Sequence, residues 1–356
     1  MALERPDLSR IDPAVRTYIE ALEARLDELE ARHNRGTISQ AEITKETETA
    51  LLESSEPPTT LNVITATATG IAKRTPRHLY SQQRRGGMGV FDLETPQDET
   101  PELLALADQD QDLLLITNLA RAFRLPVSAI AEKEVRSRGE SITGRFSFSP
   151  GEKLAALLPD QAEGYVALLS QTGHVRLLRH HVFGEYMKPG TTLYDVKTMG
   201  MLASACRTPG DGDLFIATRQ GKAIRFSEKI IPPQGGLGIR LADGDQAVAI
   251  TAVYASDGVF LLGADGRGTI RLMEGFSANK STGGSGKIAL NSDHLVAAAE
   301  VESTDDIFII SELSKIIRFQ AEEVPPKEGV VQGVICMSLR SDQTCALAIS
   351  KRLAAL

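Results

Sequence analysis

The sequence predicts an all-β fold, a closed, propeller-like disc of six four-stranded blades preceded by a short α-helical segment. Three observations carry this. A strand-like apolar run recurs six times beyond residue 60, and each run is followed by a turn and a second strand bearing an arginine. The 296 residues from 61 to 356 divide into six units of about 49, the length of one four-stranded blade.

The two segments ahead of the repeats read differently. Over residues 1–36 Asp12 caps a helix, Pro13 occupies its first turn and Gly36 ends it. Ile11, Val15, Ile19, Leu22, Leu26 and Leu29 recur along it at helical spacing. Three heptads suit self-association through residues 12–35, docking on a larger partner, or packing on the same protein. Residues 37–60 are rich in Thr, Ser and Glu and end Pro57-Pro58-Thr59-Thr60, an acidic linker with one weak helix near residues 41–52.

The repeats begin with Leu61 to Thr65, Leu113 to Thr117, Tyr165 to Ser170, Leu214 to Thr218, Val259 to Gly263 and Ile307 to Ser311. The second strands carry Arg74, Arg124, Arg176, Arg225, Arg271 and Arg318, spaced by 50, 52, 49, 46 and 47 residues. A polar, usually glycine-bearing stretch follows, then a strand of small apolar residues such as Met201 to Cys206. One unit cannot bury both faces of its sheet, so six must stack radially and close. A single strand arginine is often a guard against edge pairing. Six at one point of the repeat predict a belt of positive charge along a rim.

Charge must be read locally, because salt screens exposed charges over about 8 Å. The formal net charge is −8. Residues 1–60 hold 7 Lys/Arg against 13 Asp/Glu, so most of the excess acid lies at the front. Residues 71–91 hold Lys73, Arg74, Arg77, Arg84 and Arg85 and no acid. Within that window Gln83-Arg84-Arg85-Gly86-Gly87-Met88-Gly89 has the chemistry of a phosphate loop. Glycines let backbone N–H groups approach an anion, and paired arginines add bidentate donors. The loop lacks the Lys-Ser/Thr of a nucleotide-hydrolysing motif.

The run Gly70-Ile71-Ala72-Lys73-Arg74-Thr75-Pro76, then Tyr80, then the loop at 83–89, resembles the first blade of the C-terminal domain of the DNA gyrase A and topoisomerase IV A subunits, with its box Q-R-R-G-G-K-G. Six of seven box positions match. Gln234-Gly235-Gly236-Leu237-Gly238 and Gly283-Gly284-Ser285-Gly286 resemble the degenerate boxes of later blades, so the similarity spans residues 61–356. It implies a bacterial six-bladed β-pinwheel in which blades exchange a strand and duplex DNA bends around the basic perimeter. Met88 stands where the family's box has lysine. One phosphate contact fewer is expected there, and a topoisomerase IV-like or paralogous role fits.

On this reading double-stranded DNA is the partner. Gln83, Arg84, Arg85, Gly86, Gly87 and Gly89 bind it with Lys73, Arg74 and Arg77, and Arg124, Arg176, Arg225, Arg271 and Arg318 continue the path. Contacts to phosphate carry little base specificity. The expected function is sequence-independent bending or wrapping, in association with type IIA topoisomerase subunits. The alternative is a protein-interaction propeller, or an accessory subunit docking on a topoisomerase without wrapping DNA.

No catalytic residue is expected. Strand cleavage in that family uses a tyrosine that follows an arginine, and none of Tyr18, Tyr80, Tyr165, Tyr186, Tyr194 and Tyr254 does. His174, His180 and His181 lie near Arg176 and Arg179 and read as a basic strand rather than a metal site. Asp112, Asp213, Asp257 and Asp305 read as turn residues that need no ion. No cofactor is expected. Three cysteines without a C-x-x-C pair, no apolar run near 18 residues and an acidic start point to the cytoplasm, at the nucleoid, with no membrane partner.

Overall fold

Both faces of a blade's central strand meet a neighbouring blade, so the first strands are near-continuous apolar runs rather than alternating ones. The computed structural model describes residues 56–96 and 99–351. The expected helix at 12–35 and the linker as far as residue 55 lie outside the described residues. The first strands are Leu61–Thr67, Asp112–Thr117, Tyr165–Ser170, Asp213–Thr218, Gly258–Gly263 and Asp306–Ser311. Each forms an antiparallel hairpin with a second strand: Ile71–Pro76, Arg121–Pro126, His174–Arg179, Lys222–Ser227, Arg267–Leu272 or Lys315–Gln320.

The small-apolar strands pair on the other side of the first strands. They line a central channel of about 1000 Å³ whose wall includes Ala203, Ala249, Ala297 and Ala346. Small side chains there let six strands converge on one axis.

The fourth strand of every blade comes from the next unit along the chain. Glu140–Ser141 pairs with Ile71–Pro76, and the equivalent donors are Thr191–Thr192, Gly236–Leu237, Lys287–Ile288 and Val334–Ile335. The first unit's Val90–Phe91 pairs with Lys315–Gln320 of the sixth and closes the ring. This is the six-bladed β-pinwheel that the repeats and the resemblance led us to expect.

Six hydrophobic cores lie between blades, not within them. Ile64, Ala66 and Ala72 pack with Leu113, Leu115 and Phe123 of the second unit. Val63 and Tyr80 face the other way, onto Phe308, Ile310 and Ile316 of the sixth. Adjacent residues of one strand thus serve opposite seams, as the two-residue period of a strand requires.

A glycine stands immediately before each donated strand: Gly89, Gly139, Gly190, Gly235, Gly286 and Gly333. At Gly89 φ is +71°, and a Cβ would lie 2.6 Å from the Ile316 carbonyl oxygen of the accepting strand. Gly235, Gly286 and Gly333 combine positive φ with equally close approach to Val175, Ala223 and Gly268. Gly89→Ala therefore strains the ring at its closure. We expect it to cost more than ~1 kcal/mol in urea unfolding, while Gly329→Ala, which meets nothing within 4 Å, stays near wild type.

Candidate nucleic-acid interface

The basic window does not present its charges together. Lys73 is fully buried: its Nζ lies 2.8 Å from the Asp92 carboxylate and donates to the Asp92 and Glu134 carbonyls at 2.9 Å. Asp92 also accepts from Thr65 Oγ1 at 2.7 Å and from Tyr80 Oη at 2.8 Å. Burial pulls the Lys73 pKa down against the pull of Asp92, and burial together with the Asp92 charge holds the Tyr80 phenol well above its usual range. This knot brackets the loop at 83–89 and fixes both of its ends. Lys73, expected to touch DNA, is a buried brace instead.

Between those ends the loop lies on the sixth unit. The Gln83 and Gly86 amides donate to the Arg318 and Cys336 carbonyls, both at 2.7 Å. Arg85 donates through Nε to the Glu323 carbonyl at 2.7 Å and through Nη1 to the Ile335 carbonyl at 3.2 Å, and its amide reaches the Glu323 carboxylate. Its guanidinium therefore shapes the loop. The Arg84 side chain is exposed and has no hydrogen-bond or ion-pair partner among the described residues. Met88 beside it is 45% exposed. A Cβ on Gly87 would crowd Gln83 Oε1 at 3.2 Å and Ile317 at 3.3 Å.

The second-strand arginines are pins. Arg225 Nε lies 2.7 Å from Asp213, and its Nη1 donates to the Met273 and Phe276 carbonyls. Arg318 pairs with Asp306 and Glu56 and donates to the Tyr80 carbonyl. Arg124 pairs with Asp112 and Asp160 and donates to the Phe183 carbonyl. Arg74 pairs with Glu132, donates to the Ile130 carbonyl and reaches Asn62. In these four units the arginine stands twelve residues after the aspartate or asparagine it meets across the hairpin. It ties its own hairpin to the loop that follows the second strand of the neighbouring unit, at Ile130, Phe183, Met273 with Phe276, and Tyr80.

Arg176 and Arg271 do not share that position. Four arginines sit two residues beyond the last hairpin pair, which is Ala66 with Ala72 in the first unit. Arg176 sits one beyond and Arg271 three, so both project from the opposite face. Arg176 corresponds to Lys73 and donates to the Leu193 carbonyl at 2.9 Å as Lys73 does to Asp92. The expectation of six equivalent rim arginines is corrected on two counts: two are out of register, and the four in register are spent on neighbouring carboxylates and carbonyls. Arg77 is also engaged, by Glu56 at 3.0 Å and Asp306 at 3.1 Å.

Two further readings are refined by register. Gly283–Gly286 coincides with Gly86–Gly89, because Gly89 and Gly286 each precede a donated strand. The Gln-Gly-Gly-Leu-Gly at 234–238 is offset by three residues, since Gly235 holds the place of Gly89. Asp112 and Asp213 are ion-pair partners of strand arginines rather than turn residues, whereas Asp257 and Asp305 accept backbone N–H groups in turns. His180 pairs with Asp160 at 2.7 Å.

Residues 61–100, 111–159, 212–253 and 305–349 match the model of the DNA gyrase C-terminal domain, a beta-propeller. These are the first, second, fourth and sixth units, the four that carry the twelve-residue arginine pairing. The DNA gyrase A protein of Mycobacterium leprae is 26% identical over 303 residues, which cover 81% of this chain and 24% of that protein. That of Mycoplasma pneumoniae is 25% identical over 293 residues, 79% of this chain and 35% of the relative. The chain thus spans about a quarter to a third of these curated relatives. The solved DNA gyrase A C-terminal domain superposes with a TM-score of 0.73 at 18% identity, over 82% of this chain and all of that one.

The seam between the sixth and first units is also tied by charge, through Glu56, Arg77, Asp306 and Arg318. Burial raises the Glu56 pKa, but its bond to Arg318 and the charges of Arg318 and Arg77 outweigh that and hold it below the ordinary 4.5. A carboxylate whose pKa is depressed on folding adds stability above its unfolded pKa and loses it as pH falls through the folded one. Glu56→Gln should therefore lower the melting temperature at pH 7, and the gap to wild type should close as the pH drops below about 4.

Proposed function

Because the chain belongs to the DNA gyrase C-terminal domain family, we propose that its disc binds double-stranded DNA around the perimeter, largely without regard to sequence, and bends or wraps it. The observation that carries this reading is the loop at 83–89. It presents the unpartnered guanidinium of Arg84 on a backbone held rigid by the adjacent blade. Duplex binding needs such a group repeated around the rim, and exposed cations do accompany every donated strand. They are Arg84, Arg138, Lys188, Arg240, Lys287 and Lys327, one for each of the six. In the proposed path these replace the strand arginines, while Gln83, Arg85, Gly86, Gly87 and Gly89 set the shape of the first contact.

The whole relatives are gyrase subunits, and we place this chain in the same setting, presenting a bent duplex to catalytic topoisomerase subunits in the cytoplasm, at the nucleoid. The matched family is that of the C-terminal domain. No strand cleavage is proposed for this chain, nor any cofactor. Self-association through residues 12–35 belongs to the same proposal.

Each phosphate neutralised changes the slope of log affinity against log salt by about 0.9. Arg84→Ala should weaken plasmid binding, reduce that slope by about one and leave the melting temperature unchanged. Met88→Lys should act in the opposite sense on both binding measures. Relaxation of closed plasmid by a topoisomerase in the presence of the protein should shift the linking number. Binding that ignores both substitutions, with no shift, would leave the disc as a protein-docking module.

A further inference from the structure

The fifth unit lacks an aspartate at the twelve-residue position, and its arginine is left without an acceptor. Arg271 is 5% exposed, and its Nε and Nη1 are buried with no hydrogen-bond partner among the described residues. Its Cζ lies 5.7 Å from the centre of the Phe276 ring. Lys287 Nζ lies 4.2 Å from the same ring and donates to Ser277 Oγ at 3.2 Å. The Met273 and Phe276 carbonyls, acceptors that the loop offers, are occupied by Arg225. Glu328 is the carboxylate whose charge reaches Arg271, and no ion pair joins them. Lys327 stands beside Arg271 in the ladder and adds positive charge.

Burying a guanidinium with unused donors is costly unless an acceptor arrives. Arg271 and Lys287 also repel one another: burial first, then the charges of Arg271 and Arg225, lowers the Lys287 pKa. An anion between them removes both penalties. We propose that the seam between the fourth and fifth blades is a binding site for a phosphate-class oxyanion, held by the planar fork of Arg271 and the ammonium of Lys287 over the Phe276 ring. Lys287 is exposed and begins a donated strand, so the anion enters from the rim, and binding turns the Arg271 guanidinium from the ring toward Lys287. A guanidinium fork matches two phosphate oxygens at once, which chloride cannot reproduce.

The phosphate is either free in solution or part of a duplex backbone, and only the second source rests on the DNA reading above. The full chain is treated with a lysine-acetylating reagent at constant ionic strength in chloride, inorganic phosphate, pyrophosphate or a short duplex, and acetylation of each lysine is followed by mass spectrometry. Phosphate, pyrophosphate or duplex should slow acetylation of Lys287 by at least about threefold while exposed Lys229 is unchanged, and Arg271→Gln should abolish the protection. Protection by phosphate or pyrophosphate that survives Arg84→Ala identifies a free anion and stands even if the protein binds no DNA. Protection by duplex alone identifies a backbone phosphate. In parallel, phosphate should raise the melting temperature of wild type but not of Lys287→Gln, which keeps the test decisive if Arg271→Gln fails to fold. Equal acetylation of Lys287 in all four conditions, or a phosphate-induced melting shift that Lys287→Gln retains, overturns the proposal.

Discussion

No blade of this disc has its fourth strand until a neighbouring unit supplies it. The donated piece is two residues long, as at Val90–Phe91 on Lys315–Gln320, and so few ladder bonds would not hold a strand alone. The loop before it does the holding. Its amides at Gln83 and Gly86 and the guanidinium of Arg85 all end on carbonyls of the sixth unit. The shape of the glycine-rich loop is therefore a property of the seam, and a glycine is required where it meets the accepting strand. The feature that looks like a binding motif in sequence is first a joint.

The same constraint explains where the charges went. A propeller-like disc must carry the backbone of long excursions between strands, and buried carbonyls on those excursions need donors. A strand arginine reaching across a hairpin satisfies one or two of them, and an aspartate twelve residues earlier holds its charge, as Asp213 does for Arg225. A buried pair of this kind adds little stability by itself, but loss of one member leaves the other charge uncompensated. The pairing is thus conditional on both residues. Where the aspartate is absent, as in the fifth unit, the arginine sits on the opposite face and its donors go unused.

Much of this was legible before any coordinates. The six repeats stand out because burial on both faces makes each first strand a dense apolar run, and their count gives the blades. The donated strands were not legible from pattern, because two residues carry no periodicity. The burial of Lys73 was hidden because its partner Asp92 lies beyond the glycine-rich loop, and charge on a strand says nothing about which way it faces. The slip of Arg176 and Arg271 did leave a trace. Measured from the turn residue with positive φ, the arginines follow Gly70 and Gly221 by four positions but Gly173 by three and Gly266 by five. Spacing between repeats conceals this, since loops vary in length, while spacing within the hairpin reveals it. At Ala120 and Ser314 the turn residue is not glycine, so the ruler was visible in four units of the six.

Moving the positive belt from strand arginines to residues beside the donated strands changes the physics of any duplex path. Bending 20–30 base pairs by 40–90° costs about 1–6 kcal/mol, and that work must be met by contacts spread along the arc. Groups pinned by carboxylates contribute little, because their charge is already neutralised and their donors already used. Groups such as Arg84 and Lys188 keep both, but they stand on loops, and a loop that yields under load returns less of the contact energy to the bend. What stiffens those loops is the adjacent blade that accepts the donated strand. On the proposed duplex reading, the capacity to hold a bent polyanion therefore depends on ring closure as much as on charge, and a disc opened at the seam between its sixth and first units would retain its cations while losing the rigid arc that makes them act together.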